Sequence, residues 1–262
     1  MKRTHRATLL TARLDPVGVL WLGFFAVILS AWAGLFAMVV TSPLADVPPG
    51  LWGALCIGAA SADPGSLFAM WLLMAAAMML PTFVPALRTF LNLGAAGATQ
   101  TVDAVALVAG YALVWIAGAL VGALGQLALA QAGLVAPDGS SLSLWLSSAL
   151  LLMAGAYQFT HLKAACLARC RMPLTFFMER WAPGSACAFR MGLELGVLCF
   201  GCCWALMVLA FIGGTMNLLW MGAATLFMVM EKLPDLGRFL TRPAGYLLVT
   251  AAGATALTAV YF

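Results

Sequence analysis

Seven stretches of this chain, roughly 17–40, 66–87, 102–126, 142–159, 189–211, 214–231 and 243–262, are almost wholly apolar. Each has about the 17–25 residues that a helix needs to cross a ~30 Å hydrocarbon core. In lipid every backbone polar group must be paired within its own segment, and no strand-like alternation runs through these stretches, so helices are expected. The rest of the chain does not redress the balance. Over the whole chain hydrophobic residues make up 64% and charged residues 8%, against about 25% charged in soluble domains, and the mean hydropathy is +1.03. The expected fold is all-α: a polytopic transmembrane helix bundle of about seven spans, forming one integral membrane domain over residues 1–262 with no room for a separate soluble domain.

Basic residues set the expected orientation. With a cytoplasmic amino terminus, the inner segments carry Lys2, Arg3, Arg6 and Arg13, then Arg88, then Lys163, Arg169, Arg171, Arg180 and Arg190, and finally Lys232, Arg238 and Arg242, which are all thirteen Lys and Arg residues. The outer loops hold Asp46, Asp63 and Asp138 and no base, the asymmetry that positive-inside insertion requires. Residues 1–16 then form a basic cytoplasmic tail, 41–65 an outer loop and 160–188 a basic cytoplasmic loop, with the carboxyl terminus periplasmic. Leu51–Ala60 is too short to span and is expected to be interfacial or re-entrant after Pro48-Pro49. The first apolar run is longer than a secretory signal core and lacks a clear small-residue cleavage site, so a retained helix is expected. Gly118-x-x-x-Gly122 and Gly192-x-x-x-Gly196 allow close helix packing.

Several functions are disfavoured by content. Two histidines, one in the amino-terminal tail, argue against a histidine-ligated haem or a multi-histidine zinc site. The net charge of +4 comes from loops, with no interleaving of basic and aromatic residues that would mark a nucleic-acid surface. No phosphate-cradling glycine loop or hydrolytic triad ordering is present. Seven cysteines cannot all pair internally.

The sulfur residues carry the chemistry. Cys199 precedes Cys202 and Cys203 by three and four positions, and Cys203 precedes Met207 by four, so all four can share one helix face. Counting from Ala188, Cys199 lies ~16–18 Å along the helix, near mid-membrane. Thiolate and thioether donors select Cu(I), and zinc is also accepted by soft sites. Charge favours the monovalent ion: three thiolates in lipid are heavily penalised, whereas Cu(I) with one or two thiolates stays near neutrality. A second group, Met70, Met74 and Met78 with Met79, forms a stripe that begins near the outer surface and ends at Pro81, where the helix is expected to kink or stop. A third, Cys166-x-x-x-Cys170, sits among cations that favour thiolate over thiol and reads as a Cu(I) exit or docking site. Cys56 and Cys187 are isolated and carry no assignment. Glu194 is an intramembrane acid one turn beyond Arg190, and an ion pair explains it most simply. Asp103 reads as a helix amino-terminal cap. Lys232 suits the carboxyl end of the sixth span.

Three longer pieces are similar to a family of bacterial predicted metal-binding integral membrane proteins. They are Met70-Trp71-Leu-Leu-Met74-Ala-Ala-Ala-Met78-Met79-Leu-Pro81, Tyr157-Gln158-Phe-Thr-His-Leu-Lys163-Ala-Ala-Cys166-Leu-Ala-Arg169-Cys170-Arg171, and Gly201-Cys202-Cys203-Trp204-Ala-Leu-Met207, which continues to Met216-Asn217-Leu-Leu-Trp220-Met221 and Glu231-Lys232-Leu-Pro234. The resemblance covers most of residues 66–234 and implies metal binding, often described as copper handling, in the bacterial inner membrane. His161 stands where the family pattern leads one to expect Pro, and Glu194 where relatives often place His. On this reading Met70, Met74 and Met78 receive Cu(I), Cys199, Cys202, Cys203 and Met207 hold it, and Cys166 and Cys170 release it to a copper acceptor. Two other readings stay open: a thiol–disulfide oxidoreductase using Cys199 and Cys202, and an accessory or assembly subunit held in a membrane complex through its Gly-x-x-x-Gly faces.

Overall fold

The computed structural model describes residues 15–41, 63–95, 100–215 and 217–261. Leu51–Ala60 and Cys56, together with most of the tail and outer loop assigned above, lie outside them. The described residues form ten helices: α1 (Pro16–Thr41), α2 (Pro64–Ala95), α3 (Thr101–Gln131), α4 (Leu144–Tyr157), α5 (His161–Arg171), α6 (Pro173–Arg180), α7 (Ser185–Val208), α8 (Ala210–Gly213), α9 (Leu218–Lys232) and α10 (Gly237–Tyr261). Pro16, Pro64 and Pro173 open α1, α2 and α6, where a missing N–H is harmless. Ser143, Thr160 and Asn217 cap α4, α5 and α9 through their side chains, accepting from the amides of Leu146, Lys163 and Trp220.

Five helices, α1, α2, α3, the α7–α8 run and α10, are long and apolar enough to cross a membrane. About seven spans are expected from the sequence; among the described residues five helices meet the length and hydropathy of a span. The segments 142–159 and 214–231 yield helices of 14 and 15 residues, which at 1.5 Å per residue reach only ~21–23 Å. Turn and cap residues consume the ends that composition alone counted as span. Other segments run longer than expected. α2 continues past Pro81 and Pro85 to Ala95, so Pro81 does not end it and Arg88 lies on a helix instead of in a loop. Proline at 81 frees the carbonyl of Ala77, four residues back, and the Trp32 indole N–H on α1 donates to that carbonyl at 3.0 Å. The segment expected as a basic loop, 160–188, is largely helical, forming α5 and α6.

The centre of the bundle is the pair α3 and α7, whose backbones touch. A β-carbon at Gly110 would come within 2.2 Å of the Phe189 carbonyl oxygen, and one at Gly192 within 2.1 Å of that of Leu107, so only glycine permits the approach. α2 packs on α3, α1 on α2, and α5 on α7, while α4 pairs with α10 at the periphery. Gly118 and Gly122 receive the rings of Phe200 and Trp71. Both Gly-x-x-x-Gly elements are thus used inside this chain, which corrects their reading as docking faces for a larger complex. Large apolar side chains such as Leu22, Val121, Leu247 and Val260 remain exposed on the outer helix faces, as lipid contact demands.

Candidate metal centre

α7 brings its three cysteines together. The Sγ atoms of Cys199, Cys202 and Cys203 all lie within 4.8 Å of one another, and the three residues are only 1–2% exposed. Cys202 and Cys203 Sγ are 3.2 Å apart, and the Cys202 thiol donates to the Cys199 carbonyl at 3.1 Å. This is the helical 3–4 spacing expressed in three dimensions, with the sulfurs turned into the protein and away from lipid.

Polar groups from three other helices converge on Cys199. From α9, Lys232 Nζ donates to Cys199 Sγ at 2.9 Å and to Thr82 Oγ1 at 2.8 Å. From α3, Tyr111 Oη lies 3.1 Å from the same sulfur and donates to the Met79 carbonyl at 3.0 Å. On α2, Thr82 donates to that carbonyl as well, at 2.8 Å. The order of donation runs from ammonium to hydroxyl to carbonyl, and the same ammonium also donates to the Cys199 sulfur.

Sequence reasoning missed Lys232, Thr82 and Tyr111. Lys232 sits at the carboxyl end of α9, as its place in the sequence suggests, and the residue that decides where it points is Glu231. The Glu231 carboxylate forms a fully buried ion pair with Lys163 of α5 at 2.9 Å, both side chains 1% exposed. Arg171 donates twice to the Glu231 carbonyl, at 3.0 and 2.8 Å. Two successive charged residues closing an apolar helix cannot share one face. With Glu231 held by α5, Lys232 is directed to α7.

The other assigned residues fall in different places. Cys170 lines the same cleft as Cys199, with Thr82, Tyr111, Arg171, Lys232 and Pro234 among its other walls; its volume is about 210 Å³. Cys166 is buried instead, and its Sγ packs so closely on Gly201 that a β-carbon there would come within 2.9 Å. Burial pushes the Cys166 thiol above its ordinary pKa, and Arg169 offsets this only in part. The expectation that surrounding cations favour its thiolate is therefore corrected: desolvation outweighs them. Met207, one turn beyond Cys203 on α7, is buried. With Met74 and Met78 it lines a separate small cavity, and Met70, although buried, is not among that cavity's walls. Glu194 is held by Arg180 at 2.6 Å and Arg190 at 3.5 Å. Asp103 is the third residue of α3, with Gln100 at the cap. Its carboxylate accepts from the Gln100 amide at 2.9 Å and from Ser185 at 2.8 Å, so it ties α3 to α7 as well as closing the helix end. Tyr157 of α4 donates to the Gly201 carbonyl, and its ring meets that of Trp204 at 5.0 Å, fixing both ends of Gly201-Cys202-Cys203-Trp204. The six described cysteines are all free.

Fold and site together define a class: an all-helical protein with helices able to cross a membrane, built around a buried thiol cluster that could hold a metal ion. The comparison with protein families is more specific. The chain belongs to the PpoB2 family, described as copper chaperone, whose pattern matches residues 68–255. That range contains all three sulfur groups and every residue around Cys199 named above. No curated protein and no solved structure matches the chain.

Proposed function

We propose that this protein binds Cu(I) inside the bacterial inner membrane at Cys199, Cys202 and Cys203 and delivers it to a partner protein by way of Cys170. The observation that carries the reading is the buried triad of sulfur atoms beside the Lys232 ammonium. Cu(I) bound by two thiolates has a net charge of −1, and the adjacent ammonium brings the site to neutrality, which a low-dielectric interior favours strongly. Zinc suits the site less well. It takes four donors in closed sites, and the group of three cysteines would have to draw Cys170 out of the proposed exit route to supply the fourth. The cleft that joins Cys199 to Cys170 supplies a route along which a ligand exchange could pass the ion outward. Burial of all three sulfurs disfavours a thiol–disulfide exchange with a folded partner, which needs an accessible sulfur.

The test is metal analysis of the full chain purified anaerobically in detergent, beside a Cys202→Ser, Cys203→Ser variant. Stoichiometric copper in the parent, lost in the variant, supports the proposal. Absence of copper from the parent after Cu(I) loading, or equal copper in both, overturns it.

A further inference from the structure

One helical turn from the cysteines lies a second group of sulfur residues. Met74 and Met78 of α2, Met207 of α7 and Met221 of α9 surround a cavity of about 10 Å³, with Leu206, Ala210, Trp220 and Ala224 completing the wall. Its size is at the lower limit for one water molecule. A buried water needs two to four polar partners, and the only polar side-chain atom on this wall is the Trp220 indole nitrogen. That nitrogen is buried and has no hydrogen-bond partner among the described residues, yet one N–H cannot hold a water alone. The void therefore suits no water.

Methionine is the most adaptable of apolar side chains and ordinarily closes such gaps. Here four of them, on three helices, surround a gap that they leave open. The one chemistry shared by these side chains is the thioether, a neutral soft donor that prefers Cu(I) to hard cations. Met78 precedes Thr82 by one turn on α2, and Met207 follows Cys203 by one turn on α7, so the cavity is displaced by ~6 Å along the bundle from the thiol group. It lies on the side away from Cys170.

We infer that Met74, Met78, Met207 and Met221 form a second, all-thioether site for a monovalent soft cation, separate from the cysteine site and next to it. The inference rests on the copper reading above. It also changes the grouping that spacing suggested: Met207 leaves the cysteines, Met70 leaves the stripe, and Met221 joins. Neutral donors bind the ion more weakly than thiolates, so a cation entering at the methionines moves downhill to the cysteines.

Counting Cu(I) equivalents anaerobically on the full chain in detergent tests this. Three proteins are compared: the parent, a Cys199→Ser, Cys202→Ser, Cys203→Ser variant, and that variant with Met74→Leu and Met221→Leu added. Methionine-to-leucine exchange conserves volume and is well tolerated in cores; circular dichroism checks that each chain stays helical. The expected result is one more equivalent in the parent than in the serine variant, a remaining equivalent in the serine variant that Ag(I) displaces, and its loss when the two leucines are added. A serine variant that binds no Cu(I) while the parent does overturns the methionine site and leaves the cysteine reading standing. A parent that binds none overturns both. A remaining equivalent that survives the two leucines overturns the assignment to these methionines.

Discussion

The thiol group of α7 and the methionine cavity between α2, α7 and α9 sit one turn apart along α7, yet their surroundings are opposite. Around Cys199 stand an ammonium, a phenol and a hydroxyl, each from a different helix. Around the methionines stand Leu206, Ala210 and Ala224, with a single indole for polarity. The difference follows from the donors. A thiolate in a low-dielectric interior needs a countercharge and hydrogen bonds, whereas a thioether needs neither. What looks in sequence like one run of sulfur residues is two environments, separated by what each ligand requires of its neighbours.

Breaking the support of the thiol side should produce the largest effects. Lys163→Met leaves the Glu231 carboxylate buried and unpaired. Loss of one partner from a buried pair costs about 3–5 kcal/mol, so the midpoint of denaturant unfolding in detergent should fall strongly. A change near zero would mean that the pair does not hold α5 and α9 together. Next comes Lys232→Met, which removes the countercharge from the thiol site. Groups that support metal ligands from behind are worth about 10–100-fold in affinity, and chelator competition for Cu(I) should weaken on that scale. The same substitution in the serine variant should leave the remaining methionine-bound ion unaffected. If both sites weaken equally, the contrast between them is not electrostatic. The smallest effect is expected from Tyr111→Phe. It removes one neutral hydrogen-bond partner from Cys199, worth about 1 kcal/mol, or roughly fivefold in Cu(I) affinity, with the cavity at Met74 and Met78 again unchanged.

The comparison also explains what could be read from sequence. Helix spacing alone places Cys199, Cys202 and Cys203 together, because the three lie on adjacent turns of one element and no tertiary information is needed. The all-helical architecture was legible for a similar reason, since lipid leaves long apolar segments no other way to pair their backbones. Lys232 was not legible. Its direction depends on Glu231 being claimed by Lys163, a contact across 68 residues. Nor was the meeting of Met207 with Met74, Met78 and Met221 around one cavity, since four-residue spacing puts two side chains on one face but does not say which helix that face meets at each level. The shortness of α4 and α9 escaped as well, because hydropathy counts capping serines and turn glycines near an apolar run as part of it. Pro81 misled for a physical reason: its freed carbonyl partner is Trp32, on another helix.

The central claim is that copper is held by sulfur from α7 beside the Lys232 ammonium. X-ray absorption at the copper edge of the anaerobically loaded full chain tests it most directly. The account predicts a Cu(I) edge with sulfur as the sole nearest neighbour, and a fall in thiolate-type sulfur scattering in the Cys202→Ser, Cys203→Ser variant. Nearest neighbours that are nitrogen or oxygen, or a spectrum unaltered by the two substitutions, would contradict it.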